Sequence, residues 1–185
     1  MLLNKTYWIE KISQSFRAWG KDNEGNVVIE TAFIFPILVT LIMGSVDLGK
    51  ALLINKKLIS AAHITADLIA REESLTDDER DEFIEAGRLA MQPFSATSIG
   101  MDIAGIRFVD AEADPTVMWR DTISMDINDG VETDAIGLGT ENEGVVAVTV
   151  RYEYMPQFSS IVTGPIEMME VAFVRGRVSS FVQRE

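Results

Sequence analysis

A chain of 185 residues with 47% hydrophobic and 24% charged side chains has room for one folded domain and an anchor, and is short for two domains. A formal net charge of −13 excludes a nucleic-acid binder that works through a basic face, because phosphates need cations opposite them. With no cysteine there is no disulfide framework, and a single histidine leaves little material for catalysis.

Residues 1–24 read as a polar leader. Lys5, Lys11, Arg17 and Lys21 stand against Glu10, Asp22 and Glu24, so the leader is slightly basic while the rest of the chain is strongly acidic. Tyr7, Trp8, Ile9, Ile12, Phe16 and Trp19 predict an amphipathic turn or two, with the lysines facing phospholipid headgroups. Asp22-Asn23-Glu24-Gly25 is expected to interrupt any helix and to leave an accessible peptide bond. Basic residues ahead of a single span place the amino-terminal side in the cytoplasm.

The span itself covers residues 26–47. From position 27 to 46 the chain is almost wholly apolar, about 20 residues, enough to cross a hydrocarbon core about 30 Å thick. One charge interrupts it, Glu30. A carboxylate near mid-bilayer costs about 2.5–3.5 kcal/mol on insertion scales, and less near an end. Two readings of Glu30 stand: a carboxyl kept protonated by desolvation, or a charge paired with a cation. Pro36 removes one helical hydrogen bond, either kinking the span or being tolerated in it. A secretory signal would instead be cut after its apolar region, and no Ala-x-Ala follows this one.

Asp47 and Lys50, spaced i, i+3 at the end of the span, could pair locally or mark an interface. Beyond them Leu48, Leu52, Ile59, Ala62, Ala66 and Ile69 recur at helical steps, which predicts an amphipathic helix over residues 48–71. Thr76-Asp77-Asp78-Glu79 is a capping-box sequence opening a second helix over 76–92, with Pro93 after it. Phe83, Ile84, Ala86, Leu89 and Ala90 supply its apolar face. Strands are then expected from about residue 101 to 175: one over 101–109, one over 116–127, and one in which Val146, Val148, Val150, Tyr152 and Tyr154 alternate with Ala147, Thr149, Arg151 and Glu153. A last apolar run covers 166–174. The sum is α+β: an antiparallel sheet packed on a long amino-terminal helix, with a second short helix.

Gly25, the apolar run behind it and an acid at Glu30 resemble the processing site of type IV prepilins and pseudopilins. The longer string from Val28 through Pro36, with Gly44-Ser45-Val46-Asp47-Leu48-Gly49-Lys50 after it, is similar to the TadE-like family, the pseudopilin-type proteins of tight-adherence (Flp) pilus assembly. Thr31 departs from the pattern, since an aromatic or apolar residue often follows the acid. The resemblance implies a pilin-like fold and cleavage between Gly25 and Asn26 by a prepilin peptidase. Glu30 would then be the fifth mature residue, one helical turn from the new amino terminus. It further implies pilin and pseudopilin subunits and an inner-membrane assembly platform as partners. The protein is expected as a single-pass inner-membrane protein, with residues 1–25 cytoplasmic and 48–185 periplasmic. The alternative is an uncleaved, single-span envelope protein that scaffolds a secretion or pilus machine.

Enzymatic chemistry finds no footing in the remaining residues. His63 sits on the long helix with neither a nucleophile nor an orienting acid in a recognisable pattern, so no catalytic residue is assigned. Asp126-Ile127-Asn128-Asp129-Gly130 is a residue short of a calcium loop and lacks the later Glu, and is more simply a turn. Gly137-Leu138-Gly139 lacks the last glycine of a dinucleotide fingerprint. No cofactor and no metal ligand are expected.

Overall fold

The computed structural model describes residues 24–95, 99–109 and 114–185. The expected leader, with Trp8, Phe16 and Trp19, lies outside the described residues up to position 23. Helix α1 (Glu24–Ile69) comes first, and the chain divides into two units, Met1–Ser45 and Val46–Glu185.

The described part of the first unit is helix alone. Glu24 begins α1, so the Gly25–Asn26 peptide falls in its first turn rather than in a break before it. The apolar side chains that follow are exposed, Phe33 at 73% and Val28 at 68%.

The second unit is an α+β domain. A four-stranded antiparallel sheet has the order β3-β2-β4-β5, with β2 (Ile99–Phe108), β3 (Pro115–Ile123), β4 (Gly144–Tyr154) and β5 (Ile166–Arg175). The alternation in β4 decides its faces. Val146, Val148, Val150, Tyr152 and Tyr154 join Ile99, Met101 and Ile103 of β2 against Ile54, Leu58, Ala61, Ala62, Ala66 and Ile69 of α1. Each fully buried aliphatic contributes about 1.5–3 kcal/mol. The opposite face, with Ala104, Ile106, Val145 and Ala147, is covered by Val131 and Ala135 around the short helix α3 (Val131–Asp134).

The buried stripe of α1 differs from the expected one. Leu48, Leu52 and Ile59 are exposed, while Ile54 and Leu58 are buried in their place. The helix is apolar on several sides here, so periodicity does not single out one face. The stripe that packs carries Ala51, Ala61, Ala62 and Ala66, small residues over which the sheet approaches closely.

Helix α2 (Asp77–Ala90) starts at a complete capping box. Glu79 N–H donates to Thr76 Oγ1 at 3.4 Å, and Thr76 N–H donates to Glu79 Oε2 at 3.0 Å. Asp77, Asp78 and Glu79 in its first turn and Arg88 in its last complement the dipole. Its buried residues are Ile84 and Gly87, whereas Leu89 is exposed. Gly87 is buried because α1 comes so near: a Cβ there would lie 2.3 Å from Thr65 Oγ1.

Strand β3 ends at Ile123, short of the expected residue 127, because Ser124 takes a left-handed φ of 57° and turns the chain. Two short strands, β1 (Ser74–Leu75) and β6 (Gln183–Arg184), pair in parallel and fasten the chain's last residues beside α2. There Arg184 bonds Asp121 at 2.7 Å, the Leu75 carbonyl at 2.8 Å, and Asp77. The remaining short helix is α4 (Ser160–Thr163).

Candidate functional site

Within residues 27–46 the hydroxyls are satisfied inside the helix. Thr31 donates to the Val27 carbonyl, Thr40 to Pro36 and Ser45 to Leu41, each at 2.8 Å. Such bonding back along the helix removes the cost of carrying a hydroxyl into lipid. Glu30 differs: among the described residues it has no hydrogen bond and no ion pair. Pro36 lies inside α1 and offers no N–H to the Ala32 carbonyl. Residues Val27–Ile69 include a window of mean hydropathy 2.3, long and apolar enough to cross a membrane. This one amino-terminal apolar helix fits a single-pass membrane protein.

Asp47, directly after the apolar run, is only 4% exposed. It occupies the same stripe of α1 as Ala51, Ile54 and Leu58, where an apolar residue would ordinarily pack. Its carboxylate accepts the N–H of Gln157 at 3.0 Å, of Phe158 at 2.9 Å and of Ser159 at 2.7 Å, together with the Ser159 hydroxyl at 2.9 Å. Tyr154 adds a bond from its hydroxyl to the Asp47 carbonyl at 3.2 Å. Burial pushes the Asp47 pKa up, but the bonds from Ser159, Phe158 and Gln157 outweigh it and hold the carboxyl below its ordinary value. Burial, with Asp47 beside it, pushes the Tyr154 phenol up.

The expected local pair between Asp47 and Lys50 is therefore not what forms. Lys50 Nζ instead donates to the Gln157 side chain. Both residues of the i, i+3 pair grip one loop more than a hundred positions away, a partner that spacing alone does not reveal.

A second buried acid escaped sequence reasoning altogether. Asp102, 1% exposed on β2, lies 3.0 Å from Arg120 Nε and accepts the Asn128 N–H at 2.8 Å. Arg120 also donates to the Asn128 carbonyl at 2.7 Å, and the Asn128 amide to Thr149 Oγ1 at 3.1 Å. The loop that superficially suggested calcium thus spends Asn128 on fastening itself to the sheet. Among the described residues no group of three or more His, Asp or Glu side chains could hold a metal ion. His63 is exposed on α1.

The membrane-grade helix, its lone acid Glu30 and the Asp47 end point coincide with one known pattern. Residues 25–67 match the family model of TadE-like proteins. This TadE-like segment begins at Gly25 and ends within α1, so the sheet domain lies beyond it. Neither a curated protein nor a solved structure gives a significant match to the chain. The match covers less than half of the chain and is a likeness of residues 25–67 to TadE-like proteins.

Proposed function

We propose that the chain is a TadE-like pseudopilin, a minor pilin-like subunit of tight-adherence (Flp) pilus assembly that serves surface adhesion. It is inserted in the bacterial inner membrane with residues 1–25 in the cytoplasm and the sheet domain in the periplasm. A prepilin peptidase cuts between Gly25 and Asn26, and the protein is that enzyme's substrate rather than an enzyme. Its helix then packs with other pilin and pseudopilin subunits at the inner-membrane assembly platform.

The observation that carries this reading is Glu30. It is the one charge among residues 27–46, it has no partner among the described residues, and it lies four positions beyond Asn26. Cleavage after Gly25 creates a free amine one helical turn away, in its own chain or a neighbour's. That pairing offsets the cost of a bare carboxylate in lipid. Pro36, Asp47 and Lys50 are the further residues of a possible subunit interface, and the Asp47 carboxylate and Lys50 amine also hold the loop at Gln157 within their own domain.

Intact mass and amino-terminal sequencing of membrane-purified protein test the reading. A chain starting at Asn26 is expected. A functional chain starting at Met1 overturns processing and leaves the uncleaved single-span scaffold.

A further inference from the structure

Residues 154–166 carry no Asp, Glu, Lys or Arg, in a domain that is otherwise strongly acidic. Within this stretch Met155 is 57% exposed and Phe158 is 46% exposed. Two apolar side chains are thus exposed in one short loop. The loop is nevertheless held firmly, for Gln157, Phe158 and Ser159 all donate their N–H groups to Asp47. Asp47 follows the apolar run directly in the chain. The loop is therefore fastened to the residue at which the helix leaves the hydrocarbon.

We propose that the Met155–Ser159 loop is a lipid-contacting foot, with Phe158 and Met155 entering the boundary between headgroups and acyl chains of the bilayer that holds the chain's own helix. The proposal rests on the membrane reading of residues 27–46 and extends it to a second contact. Three observations choose lipid as the occupant. The first is continuity with the apolar run through Asp47. The second is the absence of charge, in a domain whose acidic surface anionic headgroups would otherwise repel. The third is the pairing of an aromatic with a flexible apolar side chain, the kind that gains by partial insertion. Asp47 is the positioning residue: its carboxylate holds the backbone of the loop that carries Phe158.

The chain has no cysteine, so single-cysteine variants can be labelled cleanly. Full-length Phe158→Cys, Leu38→Cys and Val178→Cys are labelled with a fluorophore and placed in nanodiscs of phosphatidylethanolamine and phosphatidylglycerol containing spin-labelled lipids. All three positions are exposed, so the substitutions leave the core untouched. The expected result is strong quenching of the Leu38 label by deep quenchers, and quenching of the Phe158 label by shallow quenchers several-fold above that of Val178. Adding Asp47→Asn to Phe158→Cys is expected to reduce the shallow quenching toward the Val178 level. A Phe158 label quenched no more than Val178, beside a well-quenched Leu38, overturns the foot while leaving the span intact. An unquenched Leu38 label overturns the membrane reading and the foot with it. Energy transfer between Phe158 labels that persists on dilution into excess lipid overturns lipid as the occupant in favour of a second copy. Full quenching retained with Asp47→Asn overturns the positioning role of Asp47.

Discussion

Asp47 and Ser159 are joined twice, by the Ser159 N–H at 2.7 Å and by its hydroxyl at 2.9 Å, both to the same carboxylate oxygen. One end of the 112-residue separation lies within α1, directly after the apolar run, and the other is in a loop after the longest strand of the sheet. A charged acceptor makes the stronger class of hydrogen bond, and withdrawing it leaves several donors unpaired at once. The join thus fixes the 157–159 loop against α1 within the domain.

Asp47→Ala should loosen this loop before it unfolds the domain. The N–H groups of Phe158 and Ser159 are expected to exchange with solvent roughly tenfold faster or more, while those of central β4 change little. Hydrogen exchange read by mass spectrometry checks this, and unchanged protection at residues 157–159 would contradict it.

Acid should act at the same place. Because the Asp47 pKa is lower folded than unfolded, its stabilising effect is fully present above the unfolded value and is lost as pH falls through the folded one. Asp77, whose carboxyl Arg184 holds down by a hydrogen bond and by charge, and Glu79, held down by Thr76, behave likewise. Domain stability is therefore expected to drop below about pH 4, in the range of ordinary carboxylate titration. Asp47→Asn should show a shallower acid loss than the parent in denaturation followed between pH 3 and 6, about the window around those carboxyl values.

Gly105 lies opposite Trp119 in the β2–β3 register, and the indole covers it: a Cβ there would sit 2.2 Å from the ring. The same indole donates its N–H to the Val182 carbonyl at 2.8 Å. Gly105→Ala must displace the ring and break that bond, costing about 1–3 kcal/mol as overpacking does. Chemical denaturation followed by tryptophan fluorescence reads both the loss and the change in the Trp119 environment.

Gly87→Ala sets two effects against each other. Alanine in a helix interior ordinarily gains about 1 kcal/mol over glycine. Here the new methyl would meet Thr65 Oγ1 at 2.3 Å and Met101 Cε at 2.9 Å. Net destabilisation of about 1–2 kcal/mol is expected, since the clash costs more than the propensity returns. Thr65→Ala in the same chain should recover part of it, and a stabilised single variant would count against so close an approach of α1 and α2.

Glu30→Ala should leave cleavage intact and impair assembly, because it removes the acid without touching Gly25. Amino-terminal sequencing paired with a pilus count separates the two steps. Normal piliation in this variant would remove the proposed role of Glu30.

Much of the architecture is local and could be read residue by residue. The alternation from Val146 to Tyr154 is a strand because its side chains divide strictly between two faces, and Thr76 with Glu79 marks a helix start by its own bonds. The stripe of α1 was not legible in the same way. Leu48 and Leu52 satisfy helical spacing as well as Ile54 and Leu58 do, and only the sheet chooses between them. Asp102 was invisible for a related reason, since its neutralising Arg120 comes from the adjacent strand and its second partner from the loop beyond.

The amino-acid order alone was sufficient for the apolar run with its single acid at Glu30, for the α+β class and for the TadE-like pattern, because hydropathy, period and motif are properties of neighbouring residues. Tertiary structure alone decided what Asp47 does. A carboxylate at the end of an apolar run reads as a boundary charge until a loop from far along the chain brings three N–H groups to it, and such a meeting depends on how the sheet folds back on the helix.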